Sequence, residues 1–261
     1  MAGRSAPGAS LVARTLEVLG AFDERHRRLT LTAIADRAGL SPATTLRILR
    51  ELEAGGAVVR SENKTYSIGR RLWDLGLLSP AETDLRELAS PYLHDLHAAT
   101  RATVHLAIRE NGSVLYLARL SGQASVPVVS RVGSRLPLYS TGVGKALLAH
   151  APHEVVDRVM RSLRPVTPYT VTAPGLLARQ LEKARVEGYA TTREEMSVGA
   201  CSIAVPIFRP GTGPGGPGEA VAALGVVVPD LRRDRGRLVA ALTMAARGIG
   251  RGLSPAGGHG R

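Results

Sequence analysis

Two short apolar periodicities separated by almost nothing constrain this chain more than any other feature. In "TLTAIADRAGLSPATTLRILRELEAGG", residues 30–56, Leu31, Ile34, Ala35 and Ala38 recur at i, i+3, i+4 and i+7 and mark one face of a helix. Thr30 is placed to cap that helix and Gly39 to stop it. Only Leu40 and Ser41 intervene before Pro42 opens the next helix. Ser41 suits the N-cap, and proline suits the first helical position, where its missing N–H costs nothing. Leu46, Leu49 and Leu52, helped by Ile48, form the expected buried stripe, and Gly55-Gly56 ends it. Helices joined this tightly must cross at a sharp angle, the shape of a helix-turn-helix.

The flanks complete the pattern. Leu11, Val12, Leu16, Leu19 and Phe22 share one side of an earlier helix, about 11–23, and "DERHRR" follows as a solvated loop. After Gly56 come "AVVRS" and "TYSIG", two short strands joined by "ENK", with Asn63 expected in left-handed geometry. A helix-turn-helix followed by a hairpin is a winged helix, with Arg60 and Lys64 on the wing. On the second helix Ala43, Arg47 and Arg50 lie at i, i+4 and i+7, opposite the leucines, behind a small and polar tip. Such a tip can enter a major groove, where arginine pairs with guanine or phosphate. Arginines opposite a leucine stripe are ordinarily just a solvated face. Three helices of suitable length, a tight turn and a wing favour the DNA reading here.

Bulk properties set the frame without deciding it. The 261 residues suffice for two domains. The mean hydropathy of +0.02 is that of an ordinary soluble protein, and no apolar run approaches the length of a membrane span. "MAGRSAPGAS" lacks the apolar core of a secretory signal, so a cytoplasmic location is expected. Cys201 is the single cysteine, which excludes an internal disulfide framework and an all-cysteine zinc site. The net charge of +12 suggests an anionic partner, yet residues 1–80 carry only +4 of it and the rest +8. The sign of the charge alone does not locate the DNA-binding part.

The remainder reads as α+β. "RRLWDLGLLSPAETDLRELASPYLHDLHAATRA" gives one or two amphipathic helices broken at Pro80. "ATVHLAIRENGSVLYLARL" is a hairpin around Asn111-Gly112, and "VPVVSRVGS" is expected to continue the sheet. "LPLYSTGVGKALLAHA" is a loop opening into a helix; helices follow near 153–163 and 175–187, strands near 188–193, 201–208 and 220–228, and a last helix near 232–252. Strands interrupted by helices in this way indicate a mainly antiparallel sheet. "RPGTGPGGPGE" is a loop between two strands, and no internal repeat is visible.

This layout resembles the IclR family of bacterial transcriptional regulators from about residue 10 to 250. The resemblance rests on "YSIGRRLWDLG", "ELASPYLHDLHAAT", "LPLYSTGVGKALLA", "GYATTREEMSVGACSIAVPIF" and "AVAALGVVVP", in this order and spacing. It implies a winged helix-turn-helix (10–70), a linker helix (71–84) and a GAF-like effector-binding α/β domain with a mainly antiparallel sheet (85–252); outside it, a flexible N-terminus (1–9) and a disordered tail (253–261) are expected. It further implies a non-enzymatic homodimer or homotetramer on palindromic operator DNA, expected to repress a metabolic operon, with affinity set by a small organic acid. The candidate DNA contacts are Ser41, Thr44, Thr45, Arg47 and Arg50, with Arg60 and Lys64 on the wing. Pro42 and Leu46 stand where the family often has a basic residue and His or Tyr, which leaves the operator sequence open.

For the effector, "STGVGKALL" has a direct reading. Gly142, Val143 and Gly144 precede or open a helix, where free N–H groups and the positive dipole end suit a carboxylate. A nucleotide P-loop would need glycine at Tyr139 and Ser/Thr at Ala146, and both fail. The family's other pocket positions match Thr192, Ser202, Gly225 and Val227, with Val128 and Leu136 as apolar walls. Aspartate is common in the family at the first of these and serine at the last two. The resemblance therefore implies a less polar pocket and a larger effector, an aromatic or branched acid. The bland reading is that these positions merely pack the core.

Other candidates for chemistry are few. His94 and His97, with His105 nearby, share spacing with metal ligands, but a solvated or interfacial face is the simpler expectation, and no metal or cofactor is expected. His150 and His153 sit at a helix boundary. Glu194 and Glu195, adjacent in a strand, should point to opposite faces, one toward the pocket. Cys201 reads as buried packing, and no catalytic residues can be assigned from spacing. The alternative to a regulator is a GAF-like binding protein or enzyme whose first domain makes protein contacts.

Overall fold

The computed structural model describes residues 10–23, 26–76, 80–122, 126, 129–210 and 218–253. The chain divides into two compact units, Met1–Thr83 and Asp84–Arg261.

In the first unit α1 (Leu11–Gly20) leads to a two-residue strand, β1 (Leu29–Thr30), then α2 (Leu31–Ala38) and α3 (Pro42–Ala54). The local signals do what their chemistry requires. Thr30 Oγ1 caps α2 by accepting from Ala33 N at 3.3 Å. Gly39 ends it in the left-handed region at φ 65°, where a side chain would be strained. Ser41 Oγ caps α3 by accepting from Thr44 N at 3.3 Å. Val18, Ile34, Ala38, Ile48 and Leu49 form the core, with Val58 of β2 (Val58–Arg60) and Tyr66 of β3 (Thr65–Ile68). The wing is a three-stranded sheet in the order β1-β3-β2, one strand more than the sequence suggested. At its tip Lys64, not Asn63, takes positive φ (60°), while Asn63 Oδ1 accepts from the Ser61 and Thr65 hydroxyls. Helix α1 buries Val18 and half-buries Leu19, with Phe22 half-buried just beyond its end, but leaves Leu11, Val12 and Leu16 exposed. Helix α4 (Arg70–Gly76) closes the unit, and Trp73 on it stands in solvent.

The second unit begins within α5 (Pro80–Thr100). Hairpin β4 (Thr103–Glu110) and β5 (Ser113–Leu120) turns at Asn111 and Gly112, both at positive φ, as an Asn-Gly turn demands. Residues 126–134 were expected to be a strand. Among the described ones Arg131–Ser134 instead form a turn with Gly133 at φ 84°, and the next strand is β6 (Arg135–Pro137). After a single 3-10 turn come α6 (Gly142–Leu148), α7 (His153–Met160) and α8 (Pro174–Glu187), then β7 (Ala190–Arg193), β8 (Cys201–Arg209), β9 (Glu219–Val228) and α9 (Arg235–Gly252). The six strands run β6-β5-β4-β9-β8-β7, each pair antiparallel.

Alternation along β4 sorts the two faces. Val104 and Leu106 join the core with Leu85, Leu93 and Leu96 of α5 and Leu238, Leu242 and Ile249 of α9. The opposite face packs on Val143, Leu147, Leu177 and Leu181 of α6 and α8. Strand register aligns two cross-sheet rows on this second face: Thr192, Ser202, Val227 and Thr103, then Ala190, Ala204, Gly225, His105 and Arg119.

Candidate DNA-binding helix and effector cavity

Helix α3 has one face in the core and one in water. Thr45, Ile48 and Leu49 are buried, whereas Ser41, Arg47 and Arg50 are exposed and Thr44 is half-buried. Neither arginine forms an ion pair among the described residues, so both guanidinium groups keep their donors for another partner. Thr45 leaves the set of candidate contacts. Its side chain is 0% exposed, and its hydroxyl donates to Ser41 O at 3.0 Å, so it anchors the helix from below. The buried stripe is accordingly Thr45, Ile48, Leu49 and, in part, Leu52; Leu46 lies at its edge. On the wing Lys64 is exposed at the tip, while the Arg60 guanidinium stands over the Tyr66 ring, 5.7 Å from its centre. Arg71 Nη1 donates to Gly55 O at 3.0 Å and ties α4 to the end of α3.

In the second unit a cavity with about 480 Å3 of empty space, its open mouth included, lies between the two cross-sheet rows and the start of α6. Of the expected effector residues, Leu136, Gly142, Val143, Thr192, Ser202, Gly225 and Val227 line it. Val128 lies outside the described residues. Gly144 does not line the cavity. A Cβ there would fall 2.3 Å from Leu138 O, so glycine is required for close packing rather than for a ligand.

The three-residue anion cradle needs correction as well. Gly142 N donates to Ser202 Oγ at 3.1 Å, and Gly144 N donates to Thr141 Oγ1 at 3.2 Å. Two of the three N–H groups are therefore already satisfied by the protein. Gly225 has the same close-packing reason: a Cβ there would meet Val143 Cγ1 at 2.7 Å. The polar group this geometry leaves open is the Thr192–Ser202 pair, whose hydroxyl oxygens are 2.5 Å apart. The pair owns two protons and uses one in its mutual bond, so one O–H remains to donate.

Sequence reasoning missed the far wall. His105, 3% exposed, lines the cavity; its Nε2 lies 2.8 Å from Ser130 Oγ and its ring meets the edge of Tyr116 at 5.0 Å. Burial, with the Arg119 guanidinium adding to it, pushes the imidazole down to about 3. It is neutral at physiological pH. Burial also pushes the Tyr116 phenol up, keeping it protonated. Ser130 is fixed twice, because its carbonyl accepts from Arg119 Nη1 at 2.9 Å. Cys201, expected to be packing alone, also borders the cavity, and burial pushes its thiol up.

The remaining ionisable residues have structural roles. Lys145, in the position that resembles a P-loop lysine, is 1% exposed and bonds Glu195 at 2.6 Å and Gln180 at 2.7 Å. Glu195 thus turns to α6 and does not line the cavity. Glu194, at φ 56°, breaks the strand alternation, and its carboxylate accepts from Gly199 N at 3.0 Å. His94 Nδ1 and His97 Nδ1 bond the Ser90 and Ala102 carbonyls, and among the described residues no group of three or more His, Cys, Asp or Glu could hold a metal. His150 packs edge-on against Phe208.

A winged helix with solvent-facing arginines on α3, followed in one chain by an antiparallel domain with a cavity, defines a ligand-responsive DNA-binding regulator. Comparison with known proteins agrees. Residues 11–62 match the IclR helix-turn-helix domain, and residues 79–251 match the C-terminal domain of bacterial transcriptional regulators of the IclR type. The chain belongs to the IclR family of bacterial transcriptional regulators. It is 31% identical to the Escherichia coli HTH-type transcriptional regulator KdgR, over 92% of this chain and 91% of that protein. It is 35% identical to the regulator BhcR of Paracoccus denitrificans, over 87% and 81%. Among solved structures, an IclR homologue from Microbacterium hydrocarbonoxydans complexed with 4-hydroxybenzoate superposes with a TM-score of 0.85 at 34% identity, covering 94% of this chain and 99% of that one. No helix among the described residues is long and apolar enough to cross a membrane.

Proposed function

We propose that this regulator is a cytoplasmic homodimer that represses a metabolic operon by occupying a palindromic operator and leaves it when an aromatic or branched organic acid enters the cavity. The observation that carries this reading is the division of α3: Ile48 and Leu49 are locked in the core while Arg47 and Arg50 face solvent, with no acidic partner among the described residues. Ser41, Thr44, Arg47 and Arg50 would reach the groove, and Arg60 and Lys64 the adjacent backbone.

Exposed Leu11, Val12 and Leu16 support the dimer, since an apolar stripe on a DNA-binding unit favours cover by a second copy. One short helix also reads too few bases to be specific alone. Residues 71–84 would carry a change in the second unit to the paired winged helices, as a population shift set by differential effector affinity. The cavity's apolar walls and the spare O–H at Thr192–Ser202 support a mostly apolar acid, and a relative of known structure holds 4-hydroxybenzoate.

One feature favours a second reading. Ser130 and His105 are within the hydrogen-bond distance of a hydrolase nucleophile and base. An imidazole pushed down to about 3 is, however, far too weak a base to take a serine proton at neutral pH, so the pair suits binding rather than catalysis.

The test is a footprint of the purified protein on DNA flanking its own gene, with and without 4-hydroxybenzoate. The expected result is protection of two inverted half-sites about one helical turn apart, weakened by the acid. Failure to protect any such fragment would contradict the reading.

A further inference from the structure

We propose that His105, oriented by Ser130, is the specificity-determining contact of the cavity and binds an uncharged hydroxyl on the effector, so that the pocket selects hydroxylated aromatic acids over their unsubstituted parents. This inference rests on the reading of the cavity as the effector site.

The geometry has three parts. First, the ring is almost wholly buried yet lines the cavity, and its hydrogen bond runs from Nε2 to Ser130 Oγ. Among the described residues Nδ1 has no hydrogen-bond partner. Second, the orientation is fixed on every side. The Ser130 carbonyl is held by Arg119, the ring lies against the edge of Tyr116, and Gly225, its neighbour on β9, has no side chain to crowd it. Third, the spare hydroxyl and the imidazole sit apart. His105 is on β4 and Ser202 on β8, with β9 between them. Two strand spacings put them roughly 10 Å apart across the sheet. Apolar Val227 and Val143 occupy the ground between.

A ligand that satisfies both ends needs a flat apolar middle with one polar group at each extremity. The spare O–H of Thr192–Ser202 donates, so it suits the carboxylate end. The imidazole end is uncharged and can switch role. If Ser130 donates to Nε2, then Nδ1–H donates to the ligand; if Nε2–H donates to Ser130, then Nδ1 accepts. A phenolic or alcoholic hydroxyl can match either state, whereas a second carboxylate, which only accepts, could use the Nδ1–H tautomer alone. The bland alternative, a buried histidine satisfied by the core, accounts for Nε2 but leaves Nδ1 unexplained.

The experiment compares the affinity of the full-length protein for 4-hydroxybenzoate and benzoate by calorimetric titration, in the wild type and in the His105→Phe and Ser130→Ala variants. The wild type should prefer the hydroxy acid by about tenfold, the worth of one well-made hydrogen bond. In His105→Phe the preference should vanish while benzoate binds as before or better. In Ser130→Ala, which removes only the orienting hydroxyl, the preference should shrink with benzoate affinity unchanged; a purely structural role would weaken both acids together. Equal wild-type affinities for the two acids overturn the hydroxyl contact and leave the aromatic-acid effector standing. Binding of neither acid overturns both.

Discussion

The Lys145 ammonium and the Glu195 carboxylate meet at 2.6 Å with side chains only 1% and 5% exposed, joining α6 to the segment after β7. Burial pulls the lysine below its ordinary range while Glu195 holds it up, so the pair is tenable only while both members are present. Replacing one strands a buried charge. Glu195→Ala should cost about 3–5 kcal/mol, seen as a lower urea midpoint, whereas Lys145→Met combined with Glu195→Leu should recover most of it. A loss in the double variant as large as in the single one would show that the ion pair itself is indispensable.

Gly144 supports the same helix by being small. A methyl group there would press on the Leu138 carbonyl, which is backbone and cannot swing away. Gly144→Ala should therefore destabilise the protein by about 1–3 kcal/mol and weaken effector binding through displacement of Gly142 and Val143. Thermal unfolding together with a titration separates the two effects.

Thr44 and Thr45 are neighbours with opposite roles. The Thr44 hydroxyl accepts from Ser41 Oγ at 2.9 Å at the helix tip, while Thr45 is sealed beneath the helix. Thr44→Ala should reduce operator affinity with little change in stability. Thr45→Val should lower stability by about 1 kcal/mol and leave DNA affinity of the folded protein intact, as anisotropy titrations and denaturation curves would report.

His105 makes stability depend on pH. Its ring faces Ser130, Tyr116 and Arg119, and its folded value of about 3 lies below the ordinary 6.5. Between those values the unfolded chain binds a proton that the folded chain refuses. Stability is thus undiminished above 6.5 and falls as pH drops below it, by about 2 kcal/mol between pH 7 and 5. His105→Gln should remove that part of the slope in urea midpoints measured at both pH values. An unchanged slope would show that His105 is not the group responsible.

The sequence made legible what is specified locally. Caps at Thr30 and Ser41, the stop at Gly39 and the Asn111-Gly112 turn are each determined within a few residues, so α2, α3 and the β4–β5 hairpin could be read directly. Strand β1 could not, because two residues become a strand only through pairing with Thr65 and Tyr66. Residues 126–134 alternate like a strand, yet Gly133 at positive φ turns the chain first. Alternation also misled at Glu194, whose left-handed backbone cancels the rule that sent one glutamate to the pocket. The His105–Ser130 contact spans 25 positions and depends on the register of β4 with β5 and β9, which no local pattern encodes. The family resemblance supplied most of the cavity's other wall.

The most direct test is the affinity of a short operator duplex for the wild type, Arg47→Ala and Arg50→Ala as salt is raised. The wild type should lose affinity steeply through counterion release. Each variant should bind at least several-fold more weakly, with a shallower salt slope or relaxed specificity according to whether its arginine meets phosphate or base. Variants that bind the same duplex with unchanged affinity, slope and specificity would contradict the assignment of α3 as the helix that reads DNA.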